Sequence, residues 1–180
     1  LLAGAKPIFV DIDPETWNME SKLEAAITRR TKAVMPVGIF GQPADMTAIN
    51  RIALTYGLPV VEDAAQCFGA SHAGRKSCGL STVGSTSFYP SKPLGCYGDG
   101  GALFTDDKTL AERMRMIRVH GQGTGDIHTI LGLNGRFDTI QAAILLAKMS
   151  VFDDEIALRQ KVAGMYRERL ENLPGVQMQC

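Results

Sequence analysis

The sequence predicts an α/β fold, a mostly parallel sheet packed between helices. Three observations carry this. Short apolar runs, too brief for helices, alternate with segments of helical period. Capping residues stand at the start of most helical segments. Two of the apolar runs end directly in acids, at Asp11 and Asp63, as buried strands do when they emerge at a sheet edge. Strands joined through single helices cross over right-handed, which makes neighbours parallel and covers both faces.

Taken in order, Lys6–Asp11 reads as the first buried strand, followed by a turn through Asn18. Ser21-Lys-Leu-Glu24 has capping-box spacing and opens a helix with Leu23, Ala26 and Ile27 on one face. Lys32–Val37 is the next strand, halted by Gly38 and by Gly41-Gln-Pro43. Asp45 caps a helix carrying Met46, Ile49, Ala53 and Tyr56 in register, closed by Gly57. Leu58–Asp63 is a strand that delivers Glu62 and Asp63 at its C-terminal end. The connection Ala64–Leu80 holds a hairpin around Ala73-Gly74, and strands Ser85–Tyr89 and Gly101–Thr105 flank a loop around Lys92. Asp106 or Asp107 caps a helix with Leu110, Met114 and Ile117. His120–Arg136 is glycine-rich with little apolar period, a long loop of the kind kept for function. Asp138-Thr-Ile-Gln141 repeats the capping-box spacing before a helix with Ile140, Ile144 and Ala147. Phe152–Leu170 is a longer amphipathic helix with Ile156, Val162, Tyr166 and Leu170 along it.

The 19 basic and 19 acidic residues cancel, which leaves no electrostatic footprint for nucleic acid or an anionic membrane. No apolar run approaches the ~20 residues that span a bilayer. No secretory signal is visible, so the expected setting is the cytoplasm. Cys67, Cys78, Cys96 and Cys180 lack metal-ligand spacing and are too sparse for a disulfide scaffold, so free thiols and no metal are expected. Leu1 opens the chain without a methionine, and Leu173–Cys180 ends in what reads as the beginning of a strand. An internal piece of a longer protein is the expectation.

The stretch Gly84–Gly101 concentrates the chemistry. Lys92 stands between Pro90 and Pro93 and among glycines, which keeps it out of any regular helix or strand. A lone lysine on a polar turn is most often a solvated surface group. The alternative is a Schiff-base lysine holding an aldehyde cofactor. Ser85, Ser87 and Ser91 offer hydroxyls for a phosphate, and the glycines permit close backbone approach. A Walker loop is excluded by the missing GxxxxGK[ST] spacing. Gly121-Gln-Gly123-Thr-Gly125 follows a helix and not a strand, which excludes a dinucleotide fingerprint. An ionised Asp63 at the end of a buried strand needs a cationic partner or several donors; a pyridinium N–H is one such partner, a helix N-cap or loop ion pair another reading. Gln66 follows within reach of the same pocket.

Val61-Glu-Asp-Ala-Ala-Gln-Cys-Phe-Gly-Ala70, Gly84-Ser-Thr-Ser-Phe-Tyr-Pro-Ser-Lys-Pro-Leu-Gly95, Gly98-Asp-Gly-Gly-Ala102 and Leu131-Gly-Leu-Asn-Gly-Arg-Phe-Asp-Thr-Ile-Gln-Ala-Ala143 resemble the sugar aminotransferases of the DegT/DnrJ/EryC1/StrS family. The matches run along essentially the whole chain, in order. The resemblance implies an aspartate-aminotransferase-like large domain (PLP fold type I) over residues 1–150, and over 151–180 a connecting helix and the start of a small C-terminal domain. It implies pyridoxal 5'-phosphate as cofactor, with Lys92 forming the Schiff base and moving protons. Asp63 would pair with the pyridine nitrogen, Gln66 with the ring hydroxyl side and Ser87 with the phosphate. Asn134 would reach that phosphate from the second subunit of a homodimer. Arg136 would meet an acidic group of the substrate, although a structural arginine in a glycine-rich loop is the alternative; His120 and His128 are read as polar loop residues.

The chain is most similar to members that aminate the 3-position of a UDP-linked keto-hexuronic acid, with glutamate as the usual amino donor. The implied role is making an amino sugar for a surface polysaccharide, such as the O-antigen of lipopolysaccharide. The family's phosphate-binding Gly-Thr turn and ring-stacking aromatic fall ahead of Leu1, so the piece alone is expected not to turn over. Two alternatives stand beside this reading. Sugar dehydratases of the same fold carry histidine in place of the Schiff-base lysine, and regulatory relatives need no intact site.

Overall fold

Three strands build the sheet that carries the site in the computed structural model, which describes residues 3–19 and 21–179. They are β1 (Val61–Asp63), β4 (Val83–Ser87) and β5 (Gly101–Phe104), in the order β1-β4-β5. β1 runs parallel to β4, and β4 antiparallel to β5. The strand expected over Lys32–Val37 lies beside β1 as an extended segment with two parallel bridges, Val34 to Val60 and Val37 to Asp63. Pro36 sits between them; it lacks an N–H, but its carbonyl still accepts from Asp63 N at 2.9 Å. The hairpin expected at Ala73-Gly74 forms between β2 (Ser71–His72) and β3 (Arg75–Lys76).

The helix α1 (Met46–Thr55) starts where Asp45 Oδ1 accepts from Ala48 N at 3.0 Å and ends before Gly57, whose φ is 62°. Its stripe of Met46, Ile49 and Ala53 closes a core with Leu23, Val34, Val60 and Leu80. A second core joins Phe88, Leu94 and Cys96 to Leu145 of α3 (Thr139–Met149) and Phe152 at the head of α4 (Phe152–Leu170). Each such side chain contributes roughly 1.5–3 kcal/mol on burial, so the loop after β4 is anchored by its own apolar residues. The helix α2 (Lys108–Arg118) is capped by Asp107, whose Oδ1 accepts from Thr109 N and Leu110 N. Gly84 is required by packing, because a Cβ there would run into the backbone of Cys78.

Four expectations are corrected. Lys6–Asp11 is not a strand: Ile8 and Phe9 are 65% and 91% exposed, and only Ile12 bridges, to Met19. Among the described residues no neighbour lies alongside it to take its N–H and C=O groups. Ser21–Ala26 is a 3-10 helix and not an α-helix, and the side chain of Ser21 lies outside the described residues. Glu24 does not close a box there; it accepts from the Tyr56 hydroxyl at 2.8 Å. Asp138 stands at the N-cap of α3 without a side-chain capping bond. The stripe expected on α4 is largely open, with Val162 50% and Tyr166 61% exposed.

Candidate active site

The register pairs Glu62 with Gly84 and Asp63 with Ser85. Side chains alternate across a strand, so Asp63, Ser85 and Ser87 share one face and Glu62, Gly84 and Thr86 the other. The second face opens on a large cleft lined by Thr86, Phe88, Phe104 and Met114, and none of Asp63, Gln66, Ser87 or Lys92 lines it. The first face meets the C-terminal edge of two parallel strands, where α/β sheets bind ligands.

Glu62 is structural. It is 2% exposed, and its carboxylate accepts from Cys78 N at 3.0 Å and Leu80 N at 3.2 Å. Burial pushes its carboxyl above the usual range, and the two N–H groups oppose that shift. The group titrates higher folded than unfolded. The proton-linked part of its stabilisation is therefore full below the unfolded pKa and is lost as pH rises through the folded one. Glu62→Ala strands two buried N–H groups and is expected to cost about 2–4 kcal/mol, read from the urea midpoint of the full-length protein. Burial, with the Glu62 carboxylate next, pushes the Cys67 and Cys78 thiols up to about 12, so neither is a nucleophile at neutral pH.

The Lys92 loop is closed at its base by Cys96 N donating to Phe88 O at 2.8 Å, and Phe88 N donates to Gly100 O at 2.8 Å. Within the loop, Lys92 N donates to Tyr89 O at 2.9 Å. A Cβ on Gly95 would come within 2.7 Å of both Tyr89 O and Pro90 O, so only glycine allows this curl. Leu94 and Cys96 are buried, and Lys92 is half-buried.

Among the described residues, Lys92 Nζ and the Gln66 amide have no hydrogen-bond partner. Asp63 Oδ1 accepts from Ala65 N at 3.0 Å, while Oδ2 has no partner among those residues. Ser87 Oγ accepts from Tyr89 N at 3.2 Å, which leaves its O–H to donate elsewhere. Half-buried polar groups that keep bonding capacity, at the C-terminal ends of β1 and β4 and on the segments that follow them, fit a polar ligand. Their chemistry fits pyridoxal phosphate: a carboxylate oxygen for a ring N–H, a hydroxyl for a phosphate and an amine for an aldehyde.

Asn134 and Arg136 are not joined to that edge by any hydrogen bond among the described residues. Both are exposed, and Asn134 bridges Val119. Arg136 Nη1 lies 3.2 Å from His120 Nε2. A guanidinium only donates, so Nε2 accepts and the His120 proton sits on Nδ1. His128 Nδ1 donates to His120 O at 3.0 Å, across a corner where His120 has φ 61°.

Two residues escaped the sequence reasoning. Gln141, expected in a capping box, accepts at Oε1 from Tyr97 N at 2.8 Å, and Lys148 Nζ donates to Gly95 O. No local pattern signals either contact, because both partners lie in the distant Lys92 loop.

The model of the DegT/DnrJ/EryC1/StrS aminotransferase family matches residues 1–180. The UDP-2-acetamido-2-deoxy-3-oxo-D-glucuronate aminotransferase of Pseudomonas aeruginosa is 62% identical over 166 residues, which cover 92% of this chain and 46% of that protein. S. venezuelae DesV, solved in complex with a ketimine intermediate, superposes with a TM-score of 0.95 at 41% identity over 99% of this chain and 49% of that one. NtdA from Bacillus subtilis, solved with bound cofactor PMP, gives 0.87 at 34% identity over 96% and 40% of the two chains. The chain thus spans about half the length of the curated relatives it matches. Its α/β sheet and helices have the aspartate-aminotransferase-like fold of these proteins. Because the family model spans the whole chain, this protein belongs to the DegT/DnrJ/EryC1/StrS aminotransferase family.

Proposed function

We propose that the full protein transfers an amino group from glutamate to a nucleotide-linked keto sugar, using pyridoxal phosphate. The observation that supports this is the unpartnered Lys92 amine on the loop that follows β4, the strand whose Ser85 and Ser87 share a face with Asp63. When bound, the cofactor supplies an electron-withdrawing ring that stabilises charge on a carbon losing its proton. Asp63 holds the proton on the ring nitrogen through a charge-assisted bond. Ser87 donates to the phosphate, and Gln66 orients the ring on its hydroxyl side. Lys92, free of other partners, takes a proton from the reacting carbon and returns it. Asn134 completes the phosphate site from the second subunit of a homodimer, which accounts for its exposure here. Residues 151–180 lead from the large domain (1–150) into a smaller one, which agrees with the open stripe on α4.

The substrate class we infer is a UDP-linked 3-keto-hexuronic acid, on the way to an amino sugar of a surface polysaccharide. The exposed Arg136 guanidinium, held at one nitrogen by His120, keeps its other donors for a sugar carboxylate. The name of the Pseudomonas relative supports that class. Among the described residues no helix is long and apolar enough to cross a membrane, and the free thiols of Cys67, Cys78 and Cys96 agree with a cytoplasmic setting.

The test uses the full-length protein with pyridoxal phosphate, glutamate and UDP-linked keto sugars with and without a carboxylate, following the amine product by mass spectrometry. The acidic sugar should be aminated, and Arg136→Ala should lower its kcat/KM by about 10- to 100-fold while sparing the neutral sugar. Equal loss on both sugars removes the role given to Arg136. Absence of any amine product overturns the transamination itself.

A further inference from the structure

We propose that Gln141 and Lys148 are positioning residues that hold the Lys92 loop in register against α3. The inference rests on Lys92 being the reactive amine. Gln141, Leu145 and Lys148 stand at i, i+4 and i+7, a single stripe of the helix. Each meets the loop beyond Lys92. Lys148 Nζ donates to Gly95 O, Leu145 packs in the cluster of Phe88, Leu94 and Cys96, and Gln141 Oε1 accepts from Tyr97 N at 2.8 Å. The stripe is thus polar at both ends and apolar at the centre.

The division of labour follows from the physics of the contacts. Apolar packing is non-directional, so Leu145 alone holds the loop down without fixing where along the helix it sits. The two hydrogen bonds supply that register. They also satisfy Tyr97 N and Gly95 O, which have no backbone partner among the described residues. Gly98 leaves room for the clamp, since a Cβ there would lie 3.0 Å from Gln141 Nε2. Gly95 is three residues from Lys92, inside the loop that the Phe88–Cys96 bond closes. A shift at Gly95 O therefore moves the segment that carries the amine. Lys148 in the last turn of α3 suits the helix dipole, but that effect requires no partner in the loop.

Full-length Gln141→Leu and Lys148→Met test this, each beside a conservative partner, Gln141→Glu (which keeps the acceptor) and Lys148→Arg (which keeps the donor). Two readouts are needed: amide hydrogen exchange of peptides covering residues 89–98, and kcat apart from KM. The Leu and Met variants should exchange about 10-fold faster in that segment with exchange elsewhere unchanged. Their kcat should fall by about 10- to 100-fold, as small misplacements of a reacting group do, with sugar KM little moved. The Glu and Arg variants should recover most of both losses. Unchanged exchange and kcat in the Leu and Met variants would overturn the proposal. So would exchange that rises evenly along the chain, or Glu and Arg variants as impaired as the others. A wild-type protein that never takes up the cofactor defeats the proposed function instead, and the exchange measurement still decides the clamp.

Discussion

Lys92→Ala in the full-length protein is expected to lower kcat by at least about 10³-fold, because the proposed function gives the roles of nucleophile and proton carrier to the same amine. The fold should not change. Lys92 Nζ makes no hydrogen bond among the described residues, and its backbone N–H, which donates to Tyr89 O at 2.9 Å, survives the substitution. The urea midpoint should therefore match the wild type, while the visible absorbance that depends on a lysine–cofactor link disappears. Glutamate should shift that absorbance in the wild type and leave the variant silent. A variant that retains both the band and turnover removes Lys92 from the chemistry.

Asp63→Asn should have the second largest effect, a fall in kcat of about 10²- to 10³-fold, the range seen when one preorganised electrostatic partner is lost. The substitution isolates the charge. The asparagine carbonyl can still accept from Ala65 N as Asp63 Oδ1 does at 3.0 Å, so the turn after β1 is preserved. The NH2 then occupies the place of Oδ2, and a ring N–H would meet a donor where it needs an acceptor. Cofactor affinity, measured by fluorescence titration, should weaken alongside kcat. A variant with wild-type affinity and rate would mean that the carboxylate serves only as the cap of the turn.

The parts of the candidate site that are local were legible in the sequence. Strand alternation places Asp63, Ser85 and Ser87 on one face once β1 and β4 are paired, and the glycines and prolines around Lys92 can only make a shaped loop. The helix caps at Asp45 and Asp107 were equally readable, since each bonds N–H groups within three residues. Local patterns failed where a distant partner competed. Glu24 and Gln141 both stand at the last position of a capping box, yet Glu24 bonds Tyr56, 32 residues away, and Gln141 bonds Tyr97, 44 residues away. The run Lys6–Asp11 has the composition of a strand, but pairing needs a neighbour as well as a sequence.

By itself the sequence determined the kinds of group available and their order along the chain: a carboxylate at one strand end, hydroxyls on the next strand, an amine on the loop beyond it, and an arginine in a later glycine-rich stretch. Only the tertiary structure decided which groups are already spent. It committed Glu62 to the backbone of Cys78 and Leu80, Ser85 to the Glu62 carbonyl, and Lys148 to Gly95, while leaving Lys92 and Gln66 unpaired among the described residues. The physical reason is that a hydrogen bond takes whichever partner the packed chain brings within about 3 Å, and sequence spacing does not encode that distance for residues far apart.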